Sequence, residues 1–236
     1  MDDKYVSEID CLDKLMVAWS EAFPKDWYFN YDGVISTEDW DSCGKKVLFV
    51  LKETNEAKQN IVNAINRAIE VKASGWWRGK VLRRVGRWAY GLQKYDGAVP
   101  SLRDAKLNEK NAVKNIAYIN IRKTSGSART DQKSFDAHAK EFAPFVRRQI
   151  ELINPDIVVL CGTYNQVKRY VFPELKKVSE RVHVNDGVVF INAFHPAARK
   201  SRPCFIIKYS ITTTLTKIIY NQCLNSYMQR KPCVVS

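Results

Sequence analysis

Apolar positions along the chain fall into short continuous runs, separated by longer stretches with helical spacing. The runs are KVLFVL (46–51), IAYINI (116–121), DIVVLCG (156–162) and VVFINA (188–193). Uninterrupted apolar stretches of this length are expected of strands buried on both faces. Between them the spacing predicts helices over residues 4–23 (ending before Pro24), 56–71, 77–92 and 134–153, with a closing helix over 206–228. Ser74-Gly75, Asn154-Pro155 and Asn185-Asp186-Gly187 punctuate these segments. Strands alternating with helices predict an α/β fold, here a three-layer α/β/α sandwich around a four-stranded, mainly parallel sheet. The chain reads as one domain: an acidic N-terminal helix and connector (1–44), an α/β core (45–228) and a tail (229–236).

Composition sharpens that picture mainly through charge. The 236 residues carry 38 Lys+Arg against 25 Asp+Glu, a net of +13. Residues 1–44 hold 3 Lys/Arg and 11 Asp/Glu, leaving 35 and 14 for the remainder, a net of +21 there. A folded region this basic attracts polyanions, because neutralised phosphates release condensed counterions; a merely solubilising surface is the other reading. No apolar run reaches the roughly 18–20 residues of a membrane span. Charge alone does not choose between DNA, RNA and an anionic membrane. The start MDDKYVSEID is too acidic and polar for a signal peptide. Six cysteines (11, 43, 161, 204, 223 and 233) form no CxxC pair, which argues against a disulfide framework or a thiolate metal site. The expectation is a cytoplasmic protein (nuclear in a eukaryote), monomeric, with no metal and no cofactor. The ending KPCVVS also fits a C-a-a-X box on Cys233, a short pattern that arises readily by chance.

In parallel sheets the ligand site lies beyond the carboxyl ends of the strands. The residues there are Lys52-Glu53-Thr54-Asn55, Arg122-Lys123-Thr124-Ser125-Gly126, Gly162-Thr163-Tyr164-Asn165 and Phe194-His195-Pro196. A carboxylate, amides, cations and a histidine suffice for acid–base or electrostatic catalysis. None of these loops is a GxGxxG or GxxxxGK[ST] nucleotide loop. On the helix at 77–92, Lys80, Arg83, Arg84 and Arg87 form one stripe opposite Val81, Val85, Trp88 and Leu92, with Trp76-Trp77 at its start. Four cations without an interleaved acid suit a phosphate backbone; an ordinary amphipathic helix is the bland alternative.

Taken together the loops resemble the uracil-DNA glycosylase superfamily. KVLFVLKETN is similar to the family's strand and catalytic turn, with Glu53 at the catalytic position, Leu51 in place of a glycine and Thr54 in place of a proline. YINIRKTSG is similar to the strand that supplies the base-reading asparagine and a following lysine, here Asn120 and Lys123. INPDIVVLCGTY resembles the strand and glycine turn before a helix, and VFINAFHPAARKS the family's His-Pro-Ser segment, with His195 as the histidine and Ala197 replacing the serine. The four segments stand in family order over about residues 46–203. The iron–sulfur branch of the family needs four clustered cysteines, which this chain lacks.

The resemblance implies a monofunctional DNA glycosylase that flips a base from DNA and hydrolyses its N-glycosidic bond. The expected partner is then DNA, with no membrane. Glu53 would stabilise the sugar cation and hold water, His195 would donate to the departing base, and Asn120 would read the pyrimidine edge. Asn55 is the reserve for Glu53. Trp76 or Trp77 would stack on the base, and Lys80, Arg83, Arg84, Arg87, Lys123, Thr163, Arg199 and Lys200 would contact DNA. Each has a plainer reading: Glu53 could pair with Lys52 or cap a helix, and Asn120 or His195 could serve a local hydrogen bond. The altered first turn leaves the target open among uracil, a deaminated purine and a modified pyrimidine such as a phage-type modified cytosine, the last implying antiviral defence. A non-catalytic DNA-binding module on the same fold, or an enzyme of free nucleosides, are the competing classes.

Overall fold

The computed structural model of the chain describes residues 3–55, 59–71, 77, 79–126 and 130–198. The helix expected over 206–228, the Cys233 tail, Trp76, Arg199 and Lys200 lie outside the described residues. The four apolar runs form the parallel strands β2 (Val47–Leu51), β4 (Ile116–Asn120), β6 (Ile157–Cys161) and β9 (Val188–Ala193), in spatial order β4-β2-β6-β9. Period-2 alternation explains why they are apolar throughout. Val47, Phe49 and Leu51 enter one core while Leu48 and Val50 enter the other. Ile157 and Val159 divide from Val158 and Leu160 in the same way.

Helices cover both faces. α4 (Ile61–Glu70), α5 (Lys80–Gln93) and α6 (Leu102–Lys114) bury Ile61, Ile65, Leu82, Val85, Trp88 and Val113 on the first. α1 (Asp3–Ser7), α2 (Leu12–Glu21), α3 (Thr37–Asp41), α7 (Gln132–Glu141) and α8 (Ala143–Ile153) bury Leu15, Trp19, Trp40, Phe135, Phe145 and Ile150 on the second. None of these is long and apolar enough to cross a membrane.

The sheet is larger than the expected four strands. Among the described residues it has seven, in the order β1-β4-β2-β6-β9-β8-β7, with β1 (Gly33–Val34), β7 (Lys176–Lys177) and β8 (Val182–Asn185) all antiparallel to their neighbours. β8 joins β9 through Asp186 (φ 45°) and Gly187 (φ 82°), a two-residue turn whose left-handed backbone matches the twist of paired strands. β3 (Thr54–Asn55) and β5 (Ser125–Gly126) pair separately beyond the main sheet.

Three predicted helices are also revised. Residues 4–23 form two helices, because Cys11 is extended and Arg148 Nε donates to the Ile9 carbonyl at 2.7 Å in the break. Residues 134–153 divide at Phe142, since Pro144 has no N–H to give a continuing helix. The third begins at Ile61 behind its cap, Asn60, whose side chain accepts from Asn63 N–H, while Thr54-Asn55 are drawn into β3. α6, capped by Ser101, was not anticipated; its composition is too polar to announce itself. After the three-residue helix α9 (Tyr164–Gln166), Val167–Val171 wind as a π-helix.

His138 on α7 is buried between Phe23 and Phe142, at ring distances of 5.6 and 4.6 Å. Burial, helped by the charges of Arg122 and Lys123, pushes its pKa down to about 3. A depressed folded-state pKa means the associated stability is complete above the ordinary histidine value and is lost as pH falls towards 3. Between pH 7 and pH 4 this one group should cost about 3 kcal/mol. Urea unfolding of wild type and His138→Gln at both pH values checks it. The variant should lose correspondingly less on acidification, and parallel losses in both proteins would remove His138 as the cause.

Candidate functional site

β2 neighbours both β4 and β6, and the two crossovers leave on opposite faces of the sheet, so the carboxyl end of β2 is the topological switch point. Glu53 stands just past this end. Its side chain is almost fully buried, and Oε2 accepts from Arg122 Nη1 at 2.8 Å. Oε1 is buried with no hydrogen-bond partner. The carboxylate occupies the space a side chain at position 126 would fill, so Gly126 is what admits it. Arg122 also donates to Ser134 Oγ at 2.9 Å and lies 5.7 Å over the Phe135 ring. Glu53 thus neither pairs with Lys52 nor caps a helix; its partner is Arg122, a strand-end residue to which no role had been assigned.

Asn120 closes β4 and is 2% exposed. Its backbone N–H donates to Asp32 Oδ2 at 2.8 Å, and its carbonyl accepts from Lys123 Nζ at 2.8 Å. Both polar atoms of its side chain, Oδ1 and Nδ2, are buried and unpartnered. Buried amides in folded proteins are almost always satisfied, so two vacant groups on one side chain mark a place for a ligand or water.

His195 follows β9. Its Nδ1 accepts from Ala197 N–H at 3.2 Å, which leaves Nε2 as the protonated nitrogen of a neutral ring. Burial, and secondarily the charge on Lys52, hold its pKa below the ordinary histidine value. Gly162, at the end of β6, has φ +75° and bonds N–H to the Ala193 carbonyl at 2.8 Å, drawing the ends of β6 and β9 together. Only glycine adopts that backbone without strain. Arg84 on α5 donates to the carbonyls of Pro196 and, at 2.9 Å, Ala198, and so fixes the loop that carries His195.

Several expected DNA contacts are corrected by burial. Lys123 is 0% exposed; its ammonium is paired with Asp32 at 2.5 Å and cannot reach a phosphate. Burial pushes its pKa down, and the Asp32 carboxylate opposes that shift. Thr163 is equally buried, and its hydroxyl donates to the Val50 carbonyl at 3.1 Å. Trp77 packs into the core with Lys110 Nζ 5.2 Å from its ring centre, so it is committed to the fold rather than to stacking. In the basic stripe, Arg83 and Arg87 both grip Glu109 of α6, at 3.1 and 2.5 Å. The acid missing from the helix itself comes from its neighbour. Arg83 keeps about half its side chain exposed and Lys80 is exposed, whereas Arg87 is largely covered. Asn55 is exposed, in β3 opposite Gly126.

Asp32, Asn30 and Gln149 were missed, and Arg122 was placed at a strand end without a role. Asn30 donates to Thr54 Oγ1 and Ser125 Oγ, accepts from Gln59 N–H, and gives its own N–H to the Lys123 carbonyl, tying the loops after β2 and β4 together. The one available signal was that buried cations need carboxylates, which makes the aspartates of the connector worth testing as partners. A cleft of about 830 Å³ is lined by Arg122 with Phe23, Trp27, Tyr28, Ser125 and His138 among others. No His, Cys, Asp or Glu cluster suited to a metal ion occurs among the described residues.

Compared with known proteins, the chain matches no family model and no curated protein.

The Arg84 contacts make a local prediction. Arg84→Gln removes the donor shared by two loop carbonyls, so the His195 ring should become more solvated and its titration should move up towards the ordinary value near 6.5. Histidine ring NMR across pH 4–8 reads this directly. An unmoved His195 titration would mean that Arg84 does not hold the loop.

Proposed function

We propose that the chain is a monofunctional DNA glycosylase of the uracil-DNA glycosylase type, releasing a flipped base and leaving an abasic site. The observation that carries this reading is Asn120. Its amide is buried, held by its backbone, and offers one free acceptor and one free donor, the complement of a pyrimidine edge.

The chemistry is hydrolysis: water adds to C1′ as the C1′–N bond breaks, and the electron pair leaves with the base. The sugar gains positive charge, which the carboxylate of Glu53 opposes, with the buried, unpartnered Oε1 left to hold the attacking water while Arg122 fixes Oε2. The base gains negative charge on its carbonyl oxygen, which the Nε2–H of neutral His195 stabilises. Electrostatic attraction to DNA comes from the net +21 of residues 45–236, with Lys80 and Arg83 as phosphate contacts and Arg199 and Lys200 as further ones. Trp76 is the remaining stacking candidate. The target is a uracil or a modified pyrimidine, in the second case with a role in antiviral defence.

A second reading, a DNA-binding module without catalysis, is favoured by one observation. The charge of Glu53 is already met by Arg122. Incubating the protein with genomic and phage DNAs, and identifying released bases by mass spectrometry, separates the two. Release without strand breakage is expected, and breakage in step with release would rule out a monofunctional enzyme. On the base so identified, Glu53→Gln and His195→Ala should each slow single-turnover release by roughly a hundredfold, about 2.7 kcal/mol, with DNA affinity nearly unchanged. Unaltered turnover in both variants would sink the assignment of these residues.

A further inference from the structure

The vacant amide of Asn120 raises the question of what holds it in place, since its own side chain makes no bond. β1 covers β4 only as far as Tyr118, paired with Gly33. Beyond that point no strand among the described residues covers the outer edge of β4, and the Asn120 N–H would be orphaned. Asp32, the residue before β1, supplies Oδ2 in place of a strand carbonyl. Lys123 Nζ then holds the Asn120 carbonyl at 2.8 Å, and its other two bonds go to Asp32 Oδ1 and Gln149 Oε1. Gln149 Nε2 closes the ring on Asp32 Oδ1 at 3.0 Å. The three ammonium protons thus meet three acceptors, with the Trp19 ring 4.6 Å away.

We propose that Asp32 and Lys123, completed by Gln149, are positioning residues for base selection. They clamp the Asn120 peptide from both ends so that its amide is rigid while remaining free for the ligand. Global stability is a poor reason for such a group. A buried ion pair costs desolvation, and apolar residues of similar volume often replace it without loss. What apolar residues would not supply is the acceptor for the Asn120 N–H and the donor for its carbonyl.

This inference rests on the glycosylase reading for its chemistry but not for its geometry, and the test separates the two. Asp32→Asn and the apolar pair Asp32→Leu/Lys123→Met are made in the wild-type and Asn120→Ala backgrounds. Base release is followed in single turnover, with melting temperatures in parallel. In the wild-type background each change should cost about tenfold or more, largely as a higher half-saturating DNA concentration; in Asn120→Ala it should cost about twofold or less. Equal losses in both backgrounds would overturn the proposal, because a purely structural role is additive. If no DNA yields a base, the functional reading fails and the clamp is decided by NMR of the ¹⁵N-asparagine-labelled full chain. Wild type should show one sharp Asn120 side-chain pair that broadens or splits in the apolar double variant, and an unchanged pair would overturn the clamp.

Discussion

Four parallel strands with apolar residues on both faces leave polar chemistry only one place to go. Inside the sheet each position faces one of two helix layers, so a charged group there would lie in a dry core. The strands therefore stay apolar until their carboxyl ends. Over a few residues they then release Lys52-Glu53, Asn120 to Lys123, Gly162-Thr163 and His195. The site is thus a product of the sheet's burial, and its position at the crossover from β2 follows from helices departing to opposite faces.

That crowding sets a second constraint: polar groups emerging from one sheet end must satisfy one another. Lys123, Thr163 and Arg122 are cations and a hydroxyl that a free loop would offer to solvent, yet here they serve the neighbouring strand and loops. The result is a division of labour. Backbone groups and charges close on each other, and what is left without a partner among these described groups is a small set: Oε1 of Glu53 and the side-chain amide of Asn120. Rigid support around a few vacant groups is the arrangement that electrostatic preorganisation requires.

The parallel core was legible because a strand buried on both faces is a continuous apolar run, and no helix pattern mimics four of them in order. The edge strands were not. Lys176–Lys177 is two exposed residues with no periodicity, and Gly33–Val34 is equally short. β8 is readable from Asp186-Gly187, since VHVN and VVFINA flank that pair as hairpin arms, but punctuation alone does not announce the strand before it. Within the site, the strand-end residues were found by position alone. Their partners were not: Asp32 lies 91 residues from Lys123, and Glu109 lies 26 from Arg83 and 22 from Arg87. Neither a stripe nor a loop motif contains the acid that will meet it when both are contributed by different elements.

The corrected stripe also bears on what net charge means in this chain. Internal pairing removes one acid with each base, so it leaves the total of +13 untouched. Glu109, shared by Arg83 and Arg87, still leaves that cluster with an excess positive charge. Residues 199–236 add seven Lys/Arg and no acid. Attraction at a distance depends on this sum, whereas contact depends on which cations can extend to a phosphate. Arg84 and Arg87 belong to the first category only, because one is spent on the His195 loop and the other is covered against Glu109. Burying cations beneath a basic surface therefore does not weaken the pull on a polyanion. It converts part of the charge into scaffolding for the groups that would meet it.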